Sequence, residues 1–97
     1  MTIVESLARR LDPEAWETEW SCIGHYELFS KRRTESLNRA KASFKTKDGC
    51  PVLILVTDLK HQAPIVGIST YPTGRQYIGQ WDALGNCGVD AKQLVEA

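Results

Sequence analysis

No hydrophobic segment in this 97-residue sequence approaches the roughly 18 residues that a membrane-spanning helix requires. The first residues, Met1 to Ser6, lack the basic-then-apolar order of a secretory signal peptide. Cysteine is scarce as well, and Cys22, Cys50 and Cys87 are an odd number at irregular spacing, which argues against a disulfide framework. These absences predict a soluble protein of the reducing cytoplasm, with free thiols and no membrane association.

The sequence also lacks an assembled set of catalytic or metal-binding residues. Zinc could be held by Cys22-x-x-His25 together with Cys50, His61 and Cys87, but only the first pair has a recognisable ligand spacing. The same residues formally offer a cysteine nucleophile with a histidine base, yet no oxyanion glycine pair or local signature surrounds any of these cysteines. No glycine follows the pattern of a phosphate-binding loop. We therefore predict no metal, no cofactor and no catalytic residue, in a protein that is not an enzyme.

The composition is that of one ordinary globular domain spanning residues 1–97, with 42% hydrophobic and 25% charged residues. A chain of this length buries only about 60 to 65% of the surface that it exposes when unfolded. Its stability should therefore be modest, and association with another chain, including a homodimer, is expected.

The N-terminal residues predict two short helices. Thr2 and Glu5 form a capping box, and an apolar stripe at helical spacing follows it as far as residue 11. Asp12 then caps a second helical turn that starts with proline. Trp16 and Trp20 lie four residues apart in this turn, on one face, where they should pack on a sheet or on a partner.

A bend over Ser21–Phe29 and a third helix over about Ser30–Lys45 are predicted next. Gly24 weakens any helix in the first of these segments, whose apolar residues fit neither the helix nor the strand period. Leu37 and Phe44 belong to a narrow apolar stripe that should hold the third helix on the surface of the domain.

Three strands follow. The run from Val52 to Val56 is the one place where five apolar residues stand in succession, so Pro51–Thr57 is expected to be a central strand with two faces to cover. Ile65–Tyr71 and Gln76–Asp82 alternate like strands, and the Pro72–Arg75 turn joins them in a hairpin. Tyr71, Tyr77 and Trp81 share one sheet face in this arrangement. Packing against Trp16 and Trp20 is the favoured interpretation of that face, and an interface with a partner is the alternative.

Asp90 repeats the capping pattern, so a short C-terminal helix with Leu94 facing inward is predicted. The predicted fold is α+β, with N-terminal helices packed on a three- or four-stranded antiparallel β-meander and a short C-terminal helix.

The charges are segmented although the net charge is zero. Residues 1–30 carry two basic and six acidic residues, residues 31–47 carry seven basic residues and one glutamate, and the remainder carries three basic and five acidic residues. A solvated face that pairs with the acidic first helices is the favoured interpretation of the basic segment, and binding to nucleic-acid phosphates or to an acidic protein are the alternatives. The candidate partner-binding residues are Lys31, Arg32, Arg33, Arg39, Lys41 and Lys45.

The first half of the chain resembles short uncharacterised proteins encoded by bacteriophages and prophages. Leu7-Ala-Arg-Arg-Leu-Asp-Pro-Glu-Ala-Trp16 has their Asp-Pro-x-x-Trp start, and Arg32-Arg-Thr-Glu-Ser-Leu-Asn-Arg-Ala-Lys-Ala42 has their basic Arg-x-x-Ser-Leu-x-x-Ala helix. The resemblance implies a small accessory protein of a mobile element, a class that commonly binds host machinery. It implies no activity and no site residues.

The favoured function is that of a small non-enzymatic interaction protein, encoded by a phage or another mobile element, which binds a host protein through its charge-segmented surface. The alternative is a nucleic-acid-binding accessory factor that uses a basic helix over residues 31–47. A small-molecule-binding protein or an enzyme is the third possibility, and it would require a polar-lined pocket.

Overall fold

The computed structural model describes residues 1–17 and 23–97, and the side chains of residues 1–17 and 27–97. Within these residues the chain forms two α-helices and a five-stranded antiparallel sheet. The α+β class is thereby confirmed, with more strands than predicted. The elements are α1 (Ile3–Leu11), a first 3-10 turn (Pro13–Trp16), α2 (Ile23–Lys41), β1 (Phe44–Thr46), β2 (Pro51–Val56), β3 (Ile65–Thr70), β4 (Gln76–Trp81), a second 3-10 turn (Asp90–Lys92) and β5 (Leu94–Glu96).

The start of α1 follows the predicted capping pattern. The Glu5 N–H donates to the Thr2 hydroxyl at 3.2 Å, which satisfies one of the helix's free N-terminal donors. Val4, Leu7 and Ala8 point into the core. After Asp12 the chain turns into the first 3-10 turn, where proline occupies the first position.

Two predictions around α2 are wrong. The helix already begins at Ile23, so residues 23–29 are helical where a bend was expected, and Ser21 and Cys22 lie outside the described residues. The cost of one glycine, about 1 kcal/mol, is small beside the packing of a 19-residue helix. The helix ends at Lys41, and Phe44 lies in β1 instead of the last helical turn. Phe44 is seven residues after Leu37, a spacing that suits one helix face, which explains the error.

The sheet order is β4-β3-β2-β1-β5, with every neighbouring pair antiparallel. β2 occupies the centre, as predicted from its apolar run. The predicted β3–β4 hairpin is confirmed, since the Tyr71 N–H donates to the Arg75 carbonyl at 2.8 Å and Gly74 adopts a φ of +86° in the turn. The three predicted strands match β2, β3 and β4 closely, and β1 and β5 were missed.

The predicted C-terminal helix is wrong. Asp90 makes no side-chain cap hydrogen bond and is the first residue of the second 3-10 turn, and the chain then extends as β5 along β1, with Leu94 opposite Thr46. Pairing with β1 satisfies backbone groups that would otherwise form an open edge. This tertiary pairing outweighs the local helix signal.

The helices cover one face of the sheet, which we call the inner face. The core consists of Val4, Leu7 and Ala8 from α1, Ala40 from α2, and the strand residues Phe44, Val52, Ile54, Ile65, Trp81 and Leu94. Trp16 packs against this core from the first 3-10 turn. Trp20 lies outside the described residues. The Trp81 indole lies over Gly79 and donates its N–H to the Lys92 carbonyl at 2.8 Å.

Lys92 fixes the segment that crosses from β4 to β5. Its ammonium group lies 2.7 Å from an Asp48 carboxylate oxygen and 4.8 and 5.5 Å from the ring centroids of Tyr71 and Tyr77. The Thr46 hydroxyl also donates to Asp48. Hydrogen bonds from Lys92 and Thr46 lower the pKa of Asp48 from 3.8 to about 2. The crossing segment is thereby attached to the β1–β2 turn.

The stability contribution of Asp48 should depend on pH. Because its folded-state pKa of about 2 lies below the ordinary value of 3.8, the ionised carboxylate stabilises the fold above pH 3.8, and this contribution is lost as the pH falls towards 2. We expect Asp48→Asn to unfold at lower urea concentration than the wild type at neutral pH, and the gap to narrow near pH 2. Asp58→Asn, an exposed change, should match the wild type at neutral pH. A gap that stays constant with pH would contradict the assignment.

A side chain at Gly79 should destabilise the fold, because a methyl group there would overlap the six-membered ring of Trp81. We expect Gly79→Ala to lower the free energy of unfolding by about 1–3 kcal/mol, the usual cost of overpacking. Gln80→Ala is the control, since Gln80 is exposed on the other face of the same strand and its loss removes only a solvent-exposed hydrogen bond to the Ala63 carbonyl, and it should cost at most about 0.5–1 kcal/mol. Urea unfolding measures both, and equal stabilities for the two variants would show that the ring does not occupy this position.

Candidate functional site

The second face of the sheet, which we call the outer face, is left uncovered by the described residues. Ile78 is 78% exposed and Leu53 is 51% exposed. These two residues lie on either side of Ile68, which is directly opposite both in the strand register. The three form a continuous apolar row across the sheet, which we call the outer ridge. The outward positions of the strands are Lys45, Pro51, Leu53, Leu55, Val56, Val66, Ile68, Thr70, Gln76, Ile78, Gln80 and Val95.

Positive charge lies beside this ridge. Lys45 is the charged residue at the outward strand positions, between Pro51 and Val95 in the register. No acidic side chain occupies these positions. An open groove of about 220 Å³ runs along the ridge, lined by Ala42, Pro51, Val52, Leu53, Ile68, Thr70 and Gln76. Lys41, the last residue of α2, directly precedes Ala42, which lines this groove.

The aromatic residues of the hairpin lie on the inner face. Tyr71, Tyr77 and Trp81 do share one face of the sheet, and the Tyr71 and Tyr77 ring centroids are 4.7 Å apart. Trp81 is 1% exposed and belongs to the core. Tyr77 is partly buried, and Tyr71 is the member of the three that reaches the surface. The outer ridge is therefore aliphatic. Its residues, Leu53, Ile68 and Ile78, could be assigned to one face from the sequence, but that this face is exposed followed only from the position of the helices.

Arg32 of the basic segment binds the acidic residues before α2. Its guanidinium donates to both carboxylate oxygens of Asp12, at 2.5 and 2.9 Å, and lies 3.4 Å from Glu14. The pair lowers the pKa of Asp12 and raises the pKa of Arg32, mainly through these hydrogen bonds. Arg32 therefore contributes to holding the first 3-10 turn against α2.

Arg33 makes a second attachment to the same turn. Its guanidinium donates to the carbonyls of Ala15 at 2.6 Å and Glu17 at 2.9 Å, and lies 5.4 Å from the ring centroid of Trp16. Arg9 approaches the same ring at 5.0 Å. Within the described residues the other predicted partner-binding side chains make no ion pair, and these are Lys31, Arg39, Lys41 and Lys45.

The residues considered for metal or thiol chemistry are dispersed. Cys50 is buried and Cys87 is exposed, both as free thiols, and His61 accepts a hydrogen bond from the Ala63 N–H at 3.1 Å in the β2–β3 connection. Among the described side chains no three His, Cys, Asp or Glu residues lie close enough to hold a metal ion. Cys22 and His25 are outside this set. A hollow of about 230 Å³ lies in the segment before β5, lined by Asn86, Gly88, Val89, Asp90 and Gln93.

Neither helix of the described chain combines the length and the apolar character that crossing a membrane would require.

Neighbouring basic residues on α2 should differ in their effect on stability. We expect Arg32→Ala to lower the melting temperature, because it leaves the Asp12 carboxylate without its bidentate partner, and Lys31→Ala to leave it unchanged. Arg32→Lys should restore only part of the loss, since an ammonium group cannot reproduce the bidentate geometry. Circular dichroism during heating measures all three. Equal melting temperatures for the Arg32→Ala and Lys31→Ala variants would contradict the structural role of Arg32.

Comparison with protein-family models, with curated proteins and with solved structures gave no match to this chain. The likeness to bacteriophage proteins therefore stays a prediction from the sequence.

Proposed function

We propose that this chain is a small non-enzymatic interaction protein of the cytoplasm, encoded by a phage or another mobile element, which binds a host protein through the outer ridge and the lysines beside it. The observation that carries the proposal is the uncovered outer face of the sheet. The central row of this face consists of Leu53, Ile68 and Ile78. All three are apolar, whereas a sheet face that is exposed only to solvent normally carries polar residues. Contiguous exposed apolar surface on a small protein typically marks a binding site.

The charges beside the ridge indicate the chemistry of the partner. Lys45 stands on the outer face itself, and no acidic residue lies at the outward strand positions. A partner surface with apolar side chains at its centre and carboxylates at its rim would complement both features. An acidic protein was one of the alternative partners considered for the basic segment. The outer ridge adds an apolar part to the proposed interface, which the sequence had not indicated.

The two components should contribute unequally to affinity. Full burial of a leucine or isoleucine side chain stabilises a complex by about 1.5–3 kcal/mol, whereas an exposed ion pair contributes about 0–1 kcal/mol. Affinity should therefore come mainly from the ridge, and the lysines should mainly orient the partner and speed its approach.

Nucleic acid is less well matched by this surface. Sheets that bind single strands stack bases on exposed aromatic rings, but Tyr77 and Trp81 lie on the inner face and the outer ridge is aliphatic. The basic helix expected over residues 31–47 ends at Lys41, and Arg32 and Arg33 bind the first 3-10 turn. Fewer cations are then available for phosphates than the sequence suggested.

Substitution of the ridge should weaken partner binding. We expect Leu53→Lys to reduce the affinity for a captured host protein about tenfold or more, since a lost leucine contact of about 1.5 kcal/mol corresponds to that factor. Leu28→Lys is the matched control, because Leu28 is 53% exposed, much like Leu53, but lies on α2. Capture from bacterial lysate identifies the candidate, and calorimetry with the purified protein measures the affinity. Equal losses in both variants, or no protein that distinguishes them, would contradict the proposal.

Salt should affect this binding only weakly. We expect Lys45→Glu to slow association at low salt and to have little effect at moderate salt, because the contribution of Lys45 is electrostatic and screened. Filter binding of single- and double-stranded nucleic acid at the same two salt concentrations tests the alternative. Tight nucleic-acid binding that falls steeply with salt would favour the accessory-factor function instead.

A further inference from the structure

β4 is an edge strand without the features that normally protect an edge. No described strand pairs with its outer side. Its six residues, Gln76–Trp81, include no charged residue and no proline, and its register with β3 is uninterrupted by a bulge. Natural edge strands usually carry lysine, proline or a bulge that prevents pairing with another chain. The opposite edge, β5, is only three residues long and carries Glu96.

The backbone groups on this edge can be identified from the hairpin. The Tyr71 N–H donates to the Arg75 carbonyl, so Arg75 directs its backbone groups towards β3. Hydrogen-bonding direction alternates along an antiparallel strand, so residues 77, 79 and 81 do the same. Gln76, Ile78 and Gln80 therefore direct their N–H and C=O groups away from the sheet, and these groups are available to another strand.

We propose that a second copy of this chain occupies the edge, with β4 pairing antiparallel to β4 and Ile78 lying opposite Ile78 of the second copy. In this register Gln76 lies opposite Gln80 of the second copy. All three outward-directed residues of each strand then have a backbone partner. The proposal goes beyond the proposed function, because it concerns the edge of the sheet and not the outer face.

The side chains favour a second copy over an unrelated strand because they are symmetric about Ile78. On the outer face the order is Gln76, Ile78, Gln80, which reads the same in both directions and is therefore complementary to itself about a two-fold axis. On the inner face Tyr77 lies opposite Gly79 of the second copy, a residue without a side chain of its own, over which the Trp81 ring lies. No two like charges are brought opposite each other.

The dimer would join two sheets into one. Leu53, Ile68 and Ile78 lie in one row across β2, β3 and β4. Pairing at Ile78 aligns this row with the same row of the second copy, so the outer ridge doubles in length and gains no covering layer. A dimer formed face to face would instead bury the ridge, so the two arrangements predict different effects of the same substitutions.

Sedimentation equilibrium over a range of concentrations tests the dimer. We expect the weight-average mass of the wild type to rise from 10.9 kDa towards twice that value with increasing concentration. Ile78→Lys and Ile78→Glu should each abolish the rise, because like charges then face each other at the two-fold axis. An equimolar mixture of the two variants should regain it as a heterodimer. Leu53→Lys, which places the same charge on the outer face away from the edge, should dimerise like the wild type.

Each other result overturns the proposal. A wild type that stays monomeric, or a dimer that survives Ile78→Lys, removes the β4 edge as an interface. A dimer lost in both Ile78→Lys and Leu53→Lys assigns association to the outer face. If the equimolar mixture of Ile78→Lys and Ile78→Glu stays monomeric, although circular dichroism shows that both variants are folded, the register that pairs Ile78 with Ile78 is wrong. If no captured protein distinguishes Leu53→Lys from its control, in contrast, the proposed function is wrong and the dimer proposal is unaffected.

Discussion

The structure depends on the packing of one helical layer against one face of the sheet. Residues from α1, α2 and all five strands form a single core, and both described helices contribute to it from the same side. The described residues, 1–17 and 23–97, form no further α-helix that could cover the outer face. β2 shows the consequence within one strand, because Val52 and Ile54 are buried while Leu53 is half exposed. Its apolar run correctly indicated a central strand with two apolar faces, but only one of those faces is covered.

The covered side is held by contacts between distant parts of the chain. Arg32 and Arg33 attach the first 3-10 turn to α2, and Lys92 attaches the segment before β5 to the β1–β2 turn. The basic segment is thereby divided in function. Two of its arginines stabilise the helical layer, whereas Lys45, one strand away, lies on the open face. The net charge is zero because the chain has 12 basic and 12 acidic residues, and of these Lys45 lies at an outward position of the described strands.

The sequence predicted those parts of the fold that local signals determine. The N-cap at Thr2, the β3–β4 hairpin and the central strand were confirmed because each depends on residues a few positions apart. β1 and β5 were missed because each is only three residues long and depends on pairing with distant residues. The two strands pair with each other across some fifty residues of chain, and β1 also pairs with β2. The candidate surface was missed for a related reason. Alternation assigned residues to two faces, but only the positions of the helices determine which face is exposed.

The pairing of β1 with β5 has a consequence for how the chain folds. β2, β3 and β4 follow one another closely and can form a meander soon after they are synthesised, but β1 receives its second neighbour only from residues 94–96. Non-local pairing of this kind forms late, because the loop-closure entropy must be overcome first. A nascent or truncated chain that stops before β5 would thus expose a free β1 edge in addition to the apolar outer face. Pairing with β5 occupies that edge and so removes one of the surfaces through which the growing chain could aggregate.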